Sequence, residues 1–144
     1  MDVILVVATS FGLGAAMQNS GLADWVAGYV VTAFPDLGNL GVLLGIVLAT
    51  SLVTEIITNN AAAALMFPIA YATAERLEAS PRVFALVVAV MASTSFLTPI
   101  GYQTNTMVYG PGGYRFGDYA RLGAPLTLAA MITILLVARI FYGV

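Results

Sequence analysis

The sequence predicts an all-α membrane protein with several apolar spans, one re-entrant helical hairpin and one broken transmembrane helix. Three observations carry that reading. Of its 144 residues 60% are hydrophobic and 8% charged, so five basic and seven acidic side chains cannot cover the surface of a soluble domain of this size. The charges also leave long uncharged windows at 3–23, 37–54, 56–74, 83–114 and 122–138. Third, two polar patches interrupt apolar sequence. They are Thr58-Asn59-Asn60, followed by an alanine run and Pro68, and Gln103-Thr104-Asn105-Thr106, between Pro99-Ile100-Gly101 and Gly110-Pro111-Gly112-Gly113. Amides and hydroxyls are costly in hydrocarbon unless something binds them.

The elements follow in order. Residues 3–19 form a first span. They lack the basic start of a cleaved leader, and Gly12, Gly14, Gln18 and Asn19 suit a packed transmembrane helix. Residues 22–34 read as an interfacial arm, with Asp24 beside Trp25, Tyr29 and Phe34 along it and Pro35-Asp36 ending it. Residues 40–54 form a second span, in which Gly41 and Gly45 make a small-xxx-small contact face. Glu55 ends that run. Residues 55–78, with Thr58-Asn59-Asn60 near the start and Pro68 inside, are expected to form the re-entrant hairpin.

Glu75-Arg76-Leu77-Glu78-Ala79-Ser80-Pro81-Arg82 is the most polar stretch and must be a surface loop; its Ser80-Pro81 suits a helix start. A span over 83–98 should stop near Pro99 and Gly101, break at 103–107, continue over 107–112 and leave through Gly110-Pro111-Gly112-Gly113. Arg115, Asp118 and Arg121 form a polar loop, and 120–142 is the last span. Two arginines lie in each polar loop, so positive charge does not select an orientation. No linker divides the chain, and 1–144 reads as a single transmembrane unit in contact with the lipid bilayer.

Composition excludes whole classes of function. Without cysteine there are no disulfides or thiolate sites. Without histidine there is no hydrolytic triad and no ordinary proton shuttle at neutral pH. A net charge of −2 gives nucleic acid no footprint. Gly12-Leu13-Gly14 lacks the context of a nucleotide fingerprint. No nucleophile–base set is present, so an enzyme is not expected, and no cofactor either.

The polar patches carry the chemistry. A broken helix exposes unpaired N–H groups on one half and unpaired C=O groups on the other. The N–H end attracts an anion, and the C=O end, with Asn and Thr oxygens, ligates a cation such as sodium. One isolated Thr-Asn more often satisfies a turn or joins helices. Two, each beside Pro or Gly, favour a bound solute. Glu55 has two readings: a carboxylate for a coupling ion or proton, or a cap at a helix end. Asp118 and Arg121 read as a surface pair, and the methionines with Tyr29, Tyr71, Tyr109, Tyr114 and Tyr119 as packing and interface anchors.

Thr54-Glu55-Ile56-Ile57-Thr58-Asn59-Asn60-Ala61-Ala62-Ala63 resembles the Thr-Glu-x-x-Ser-Asn-Thr-Ala signature of the divalent anion:sodium symporters, which carry dicarboxylates, citrate or sulfate. Thr98-Pro99-Ile100-Gly101-Tyr102-Gln103-Thr104-Asn105 with Val108-Tyr109-Gly110 resembles that family's second broken helix, and 10–25 resembles the start of its second repeat. The Tyr-Gln-Thr-Asn variant and the Gly-Pro-Gly-Gly exit resemble the branch with soluble regulatory domains inserted between its halves. The resemblance implies one repeat of an inverted-repeat, elevator-type secondary transporter, a missing first repeat in the same or another chain, and a homodimer when complete. It implies an inner (cytoplasmic) membrane location in a bacterium. Thr58, Asn59, Asn60, Thr98, Pro99, Gly101, Thr104 and Asn105 would line the solute and ion site, with Asn59 and Asn105 as sodium ligands and a small anion as substrate. Thr58 replaces Ser, Asn60 replaces Thr, and Gln103-Thr104 stands where dicarboxylate carriers often have Pro-Pro. The competing readings are a channel subunit and a transport-incompetent fragment or membrane assembly partner.

Overall fold

A computed structural model describes residues 5, 8–9, 12, 15–17, 19–33 and 38–143. The expected first span at 3–19 falls largely outside the described residues. Those described are helical or irregular, with no strand among them. The helices are α1 (Leu22–Ala33), α2 (Gly38–Thr54), α3 (Asn59–Arg76), α4 (Pro81–Ala92), α5 (Gln103–Tyr109) and α6 (Phe116–Tyr142).

Helix α3 touches α1, α2 and α4, and α2 also touches α4. Its sequence explains why. Ala62, Ala70, Ala72 and Ala74 are buried along it, and side chains this small let three neighbours approach closely. The larger core side chains come from α2 and α4: Leu43, Ile46 and Val47 meet Phe84, Val87, Val88 and Met91 in one buried cluster. Gly41 and Gly45 are both buried in α2, in keeping with a small-residue contact face. The hydroxyls of Thr50 and Thr73 lie inside this cluster without cost, because each donates to the carbonyl one turn back, Ile46 O and Ile69 O, at 2.7 Å. Helix α1 turns Ala23 and Ala27 inward and leaves Trp25 and Tyr29 exposed and stacked. A Cβ at Gly28 would sit 2.9 Å from Arg76 Nη1, so the glycine lets the guanidinium of α3 lie over α1.

Three boundaries differ from the sequence expectation: the last helix begins at Phe116, so Asp118 and Arg121 of the expected polar loop are helical, and both breaks move. Residues 59–76 form one continuous helix through Pro68, so no hairpin folds within 55–78. The break lies at 55–58, between α2 and α3, which pack on each other. Proline removes the bond to the carbonyl four residues back and crowds that carbonyl, yet the alanine-rich flanks keep the helical path. The second break is also earlier than expected. Helix α4 stops at Ala92, residues 93–102 are irregular, and Gln103–Tyr109 is helical. Ser93 and Thr94 hydroxyls donate to Ala89 O and Met91 O, offering the backbone an alternative to another helical turn.

Helix α4 starts as its sequence suggests, with Ser80 at the N-cap and Pro81 at the first position. Helix α6 spans 27 residues, about 40 Å at 1.5 Å per residue, and is the one described helix long and apolar enough to cross a membrane. It contacts α2 and α4 along a stripe containing Gly123, Thr127 and Ala138. Asp118 does not act as the expected partner of Arg121: its carboxylate accepts the Arg115 N–H at 2.7 Å and caps the helix.

Candidate functional site

The breaks at 55–58 and 93–102 meet. Glu55 is the brace between them. It is buried at 5% exposure, and its two carboxylate oxygens accept the backbone N–H groups of Leu97 and Thr98 at 2.9 and 2.8 Å. Its own carbonyl accepts the Thr98 hydroxyl at 3.0 Å. A carboxylate facing two orphan N–H groups makes short, charge-assisted bonds. The helix-end reading of Glu55 is therefore corrected: the N–H groups it satisfies belong to the other break, more than forty residues away.

Thr54 continues the seam. Its hydroxyl donates to Ala92 O at 2.6 Å, and its carbonyl accepts the Ser95 hydroxyl at 3.2 Å. Gly101 closes over this contact. A Cβ there would collide with Ser95 Oγ and lie 2.9 Å from Thr54 O and 3.1 Å from Glu55 Cα, so the approach of the two breaks requires glycine.

The two asparagines act as cross-ties. With its amide nitrogen facing the acceptors, Asn59 shares its two hydrogens among Thr54 Oγ1 at 3.1 Å and Ala92 O and Gly101 O at 3.2 Å. Asn105, in the first turn of α5, donates from Nδ2 to Ser95 O at 3.1 Å and to Thr98 O at 3.2 Å. Residues from both sequence motifs thus hold the same irregular segment. Thr98 spends its hydroxyl twice, donating to Glu55 O and accepting the Gly101 N–H at 3.1 Å. Pro99 is buried, and its carbonyl accepts the Thr106 hydroxyl at 2.7 Å.

The other expected site residues stand at the edge. Thr58 is exposed and caps α3, accepting the Ala61 N–H at 3.4 Å. Asn60 and Thr104 are exposed. The seam therefore brings together Asn59, Thr98, Pro99, Gly101 and Asn105, and leaves Thr58, Asn60 and Thr104 on the rim. Sequence reasoning missed Thr54, Ser95 and the bracing part of Glu55. Thr54 and Glu55 stood inside the recognised motif, but contacts across forty residues leave no periodic signal.

Helix α6 seats on the second break from outside. A Cβ on Gly123 would collide with the carbonyl of Phe96, so only a glycine lets the helix lie there. An open groove of about 240 Å³ beside this contact is lined by Phe96, Asn105, Val108, Tyr119, Leu122 and Leu126, among others. Its walls are mostly apolar and include the Asp118 carboxylate, which is the wrong lining for a small divalent anion.

The citrate transporter family model, CitMHS, matches residues 1–143. An uncharacterized transporter of Synechocystis sp. is 50% identical over 143 residues, covering 99% of this chain and 23% of the relative. Sodium/sulfate cotransporter 1 of Chlamydomonas reinhardtii is 38% identical over 132 residues, covering 91% of this chain and 15% of the relative. Solute carrier family 13 member 1 of Mus musculus is 27% identical over 138 residues, covering 94% of this chain and 23% of the relative. The chain spans less than a quarter of the length of each of these relatives.

Proposed function

The chain belongs to the citrate transporter family, and on that premise we propose that it supplies the second repeat of a sodium-coupled, elevator-type secondary transporter for a small anion. The family places it among integral membrane transporters, akin to the divalent anion:sodium symporters. The substrate class is a dicarboxylate or sulfate; relatives named as sodium/sulfate cotransporters favour sulfate. The bacterial inner membrane is the proposed location, and a first repeat and a second copy complete the proposed assembly.

One observation carries the reading: Asn59 and Asn105, from separate motifs, tie down one irregular segment whose Ser95 and Thr98 hydroxyls bond in turn to Thr54 O and Glu55 O of the other break. Breaks in apolar helices persist only where protein or a wet cavity satisfies them. Neutral carbonyl and amide oxygens suit sodium, and a nearby helix N-terminus suits an anion. In this reading the breaks at 55–58 and 93–102 are the re-entrant tip and the unwound centre of a broken helix. Thr58, Asn60 and Thr104 face the solute from the rim, and Asn59 and Asn105 hold the sodium cage in shape or ligate the ion directly.

The test is uptake of labelled sulfate and dicarboxylates by membrane vesicles carrying the assembled transporter. Asn59→Ala and Asn105→Ala are each expected to abolish sodium-dependent uptake while the protein still reaches the membrane. Normal uptake by either variant removes that residue from the site. Uptake that persists with choline in place of sodium refutes sodium coupling, and a linear, unsaturable flux points to a channel instead.

A further inference from the structure

Asn105 does two jobs with two groups. Its side chain ties Ser95 O and Thr98 O, while its backbone carbonyl accepts the Tyr119 hydroxyl of α6 at 3.0 Å. Tyr119 is held in turn by two rings: Tyr114 lies edge-on at 5.9 Å, and Tyr109, at the end of α5, lies at 6.1 Å. Four residues on, and so on the same face of α6, Gly123 presses on the Phe96 carbonyl. Helix α6 therefore touches the second break at Phe96 and, one turn earlier along α6, the short helix α5 at Asn105. Gly123 sets how near the helix lies, and Tyr119 sets where α5 sits along it.

The connection between α5 and α6 gives this contact its importance. Residues 110–113 are Gly-Pro-Gly-Gly, and Gly113 has φ +65°. Such a joint does not by itself hold a seven-residue helix in register. From these contacts we infer that Tyr119 is a positioning residue for the ion and solute site. Its hydroxyl fixes α5, so that the Asn105 amide reaches Ser95 O and Thr98 O together. Removing the hydroxyl leaves the rings packed but frees α5 to shift, and the carbonyl cage loosens without the core unfolding.

This inference rests on the transport reading above, and two measurements keep them apart. The chain has no cysteine, so Met107→Cys on the exposed side of α5 takes a single nitroxide label there, with any cysteine elsewhere in the transporter replaced. Tyr119→Phe should raise the mobility of that label. It should also raise the sodium concentration for half-maximal uptake by about threefold to tenfold, the range of one net hydrogen bond, with the maximal rate within about twofold of the parent. Tyr114→Phe, which removes a hydroxyl from the ring beside it, should leave both readings at the parent value. A Tyr119→Phe spectrum that coincides with the parent's overturns the inference, as does a fall in maximal rate at an unchanged half-saturation. Normal uptake by Asn105→Ala sinks the site reading instead, and the label spectrum still decides whether Tyr119 tethers α5.

Discussion

Glu55 shows how much of this site rests on single atoms. Each carboxylate oxygen accepts one backbone N–H of the opposite break, at Leu97 and Thr98. Glu55→Gln keeps the size of the side chain but turns one acceptor into a donor that faces an N–H. One buried amide then lacks a partner, at a cost of about 1–3 kcal/mol. The expected outcome is a lower thermal midpoint in detergent and weaker uptake, and an unchanged midpoint would show that the brace contributes nothing. Gly101 makes the same point by absence, since no side chain fits between Ser95 and Thr54. The motif residues were legible because polar groups in apolar sequence are conspicuous. Their partners were not, since a carbonyl or an N–H carries no residue-type signature. Asn59 and Asn105 thus stood out as candidates, but their donation to Ala92 O, Gly101 O, Ser95 O and Thr98 O did not.

At the scale of elements, uncharged windows and helix breakers were the signals the sequence offered. Gly38–Thr54 begins at a glycine and Pro81–Ala92 begins at Ser-Pro, whereas Phe116–Tyr142 begins inside the expected polar loop because Asp118 caps it. The breaks were displaced. Pro68 looked like a stop and is an interior residue of α3, while Ser93-Thr94-Ser95 looked like ordinary helix and ends α4. Proline costs a helix one bond and crowds one carbonyl, whereas Ser93 and Thr94 turn their hydroxyls back onto Ala89 O and Met91 O and Ser95 reaches Thr54 O across the seam, a competing network for the backbone. The exit from α3 follows local rules more closely. Ala79 N–H bonds Ala74 O and Glu78 N–H bonds Glu75 O, a Schellman pair that puts Glu78 at φ 52°. A side chain in that left-handed region is strained, so Glu78→Gly should stabilise the fold by about 1 kcal/mol. A melting experiment on the variant checks this, and a lower midpoint would mean that the Glu78 side chain makes up for its strain elsewhere.

The whole molecule is organised around a seam rather than a pocket. Helices α2, α3 and α4 form the apolar core, both breaks open at one place on it, and α6 lies along the outside with little of its surface buried. Leu122, Leu126, Ile132, Leu136 and Ile140 of α6 are exposed, which suits lipid or a protein neighbour. Beside the seam, Ile56 is 75% exposed and Ile100 63%, although the polar groups next to them are buried and paired. In the proposed two-repeat assembly these apolar side chains beside a polar seam are covered by the added chain; the relative from Synechocystis sp. is more than four times as long. In the proposed carrier the solute must be enclosed, and the rim residues Thr58, Asn60 and Thr104 are exposed. The chain expressed by itself is therefore expected to enter membranes yet give no sodium-dependent sulfate or dicarboxylate uptake. Activity should return when a polypeptide bearing the complementary repeat is supplied with it. Saturable, sodium-dependent uptake by the 144-residue chain alone would show that this one seam encloses the solute without a counterpart, and would sink the two-repeat assembly.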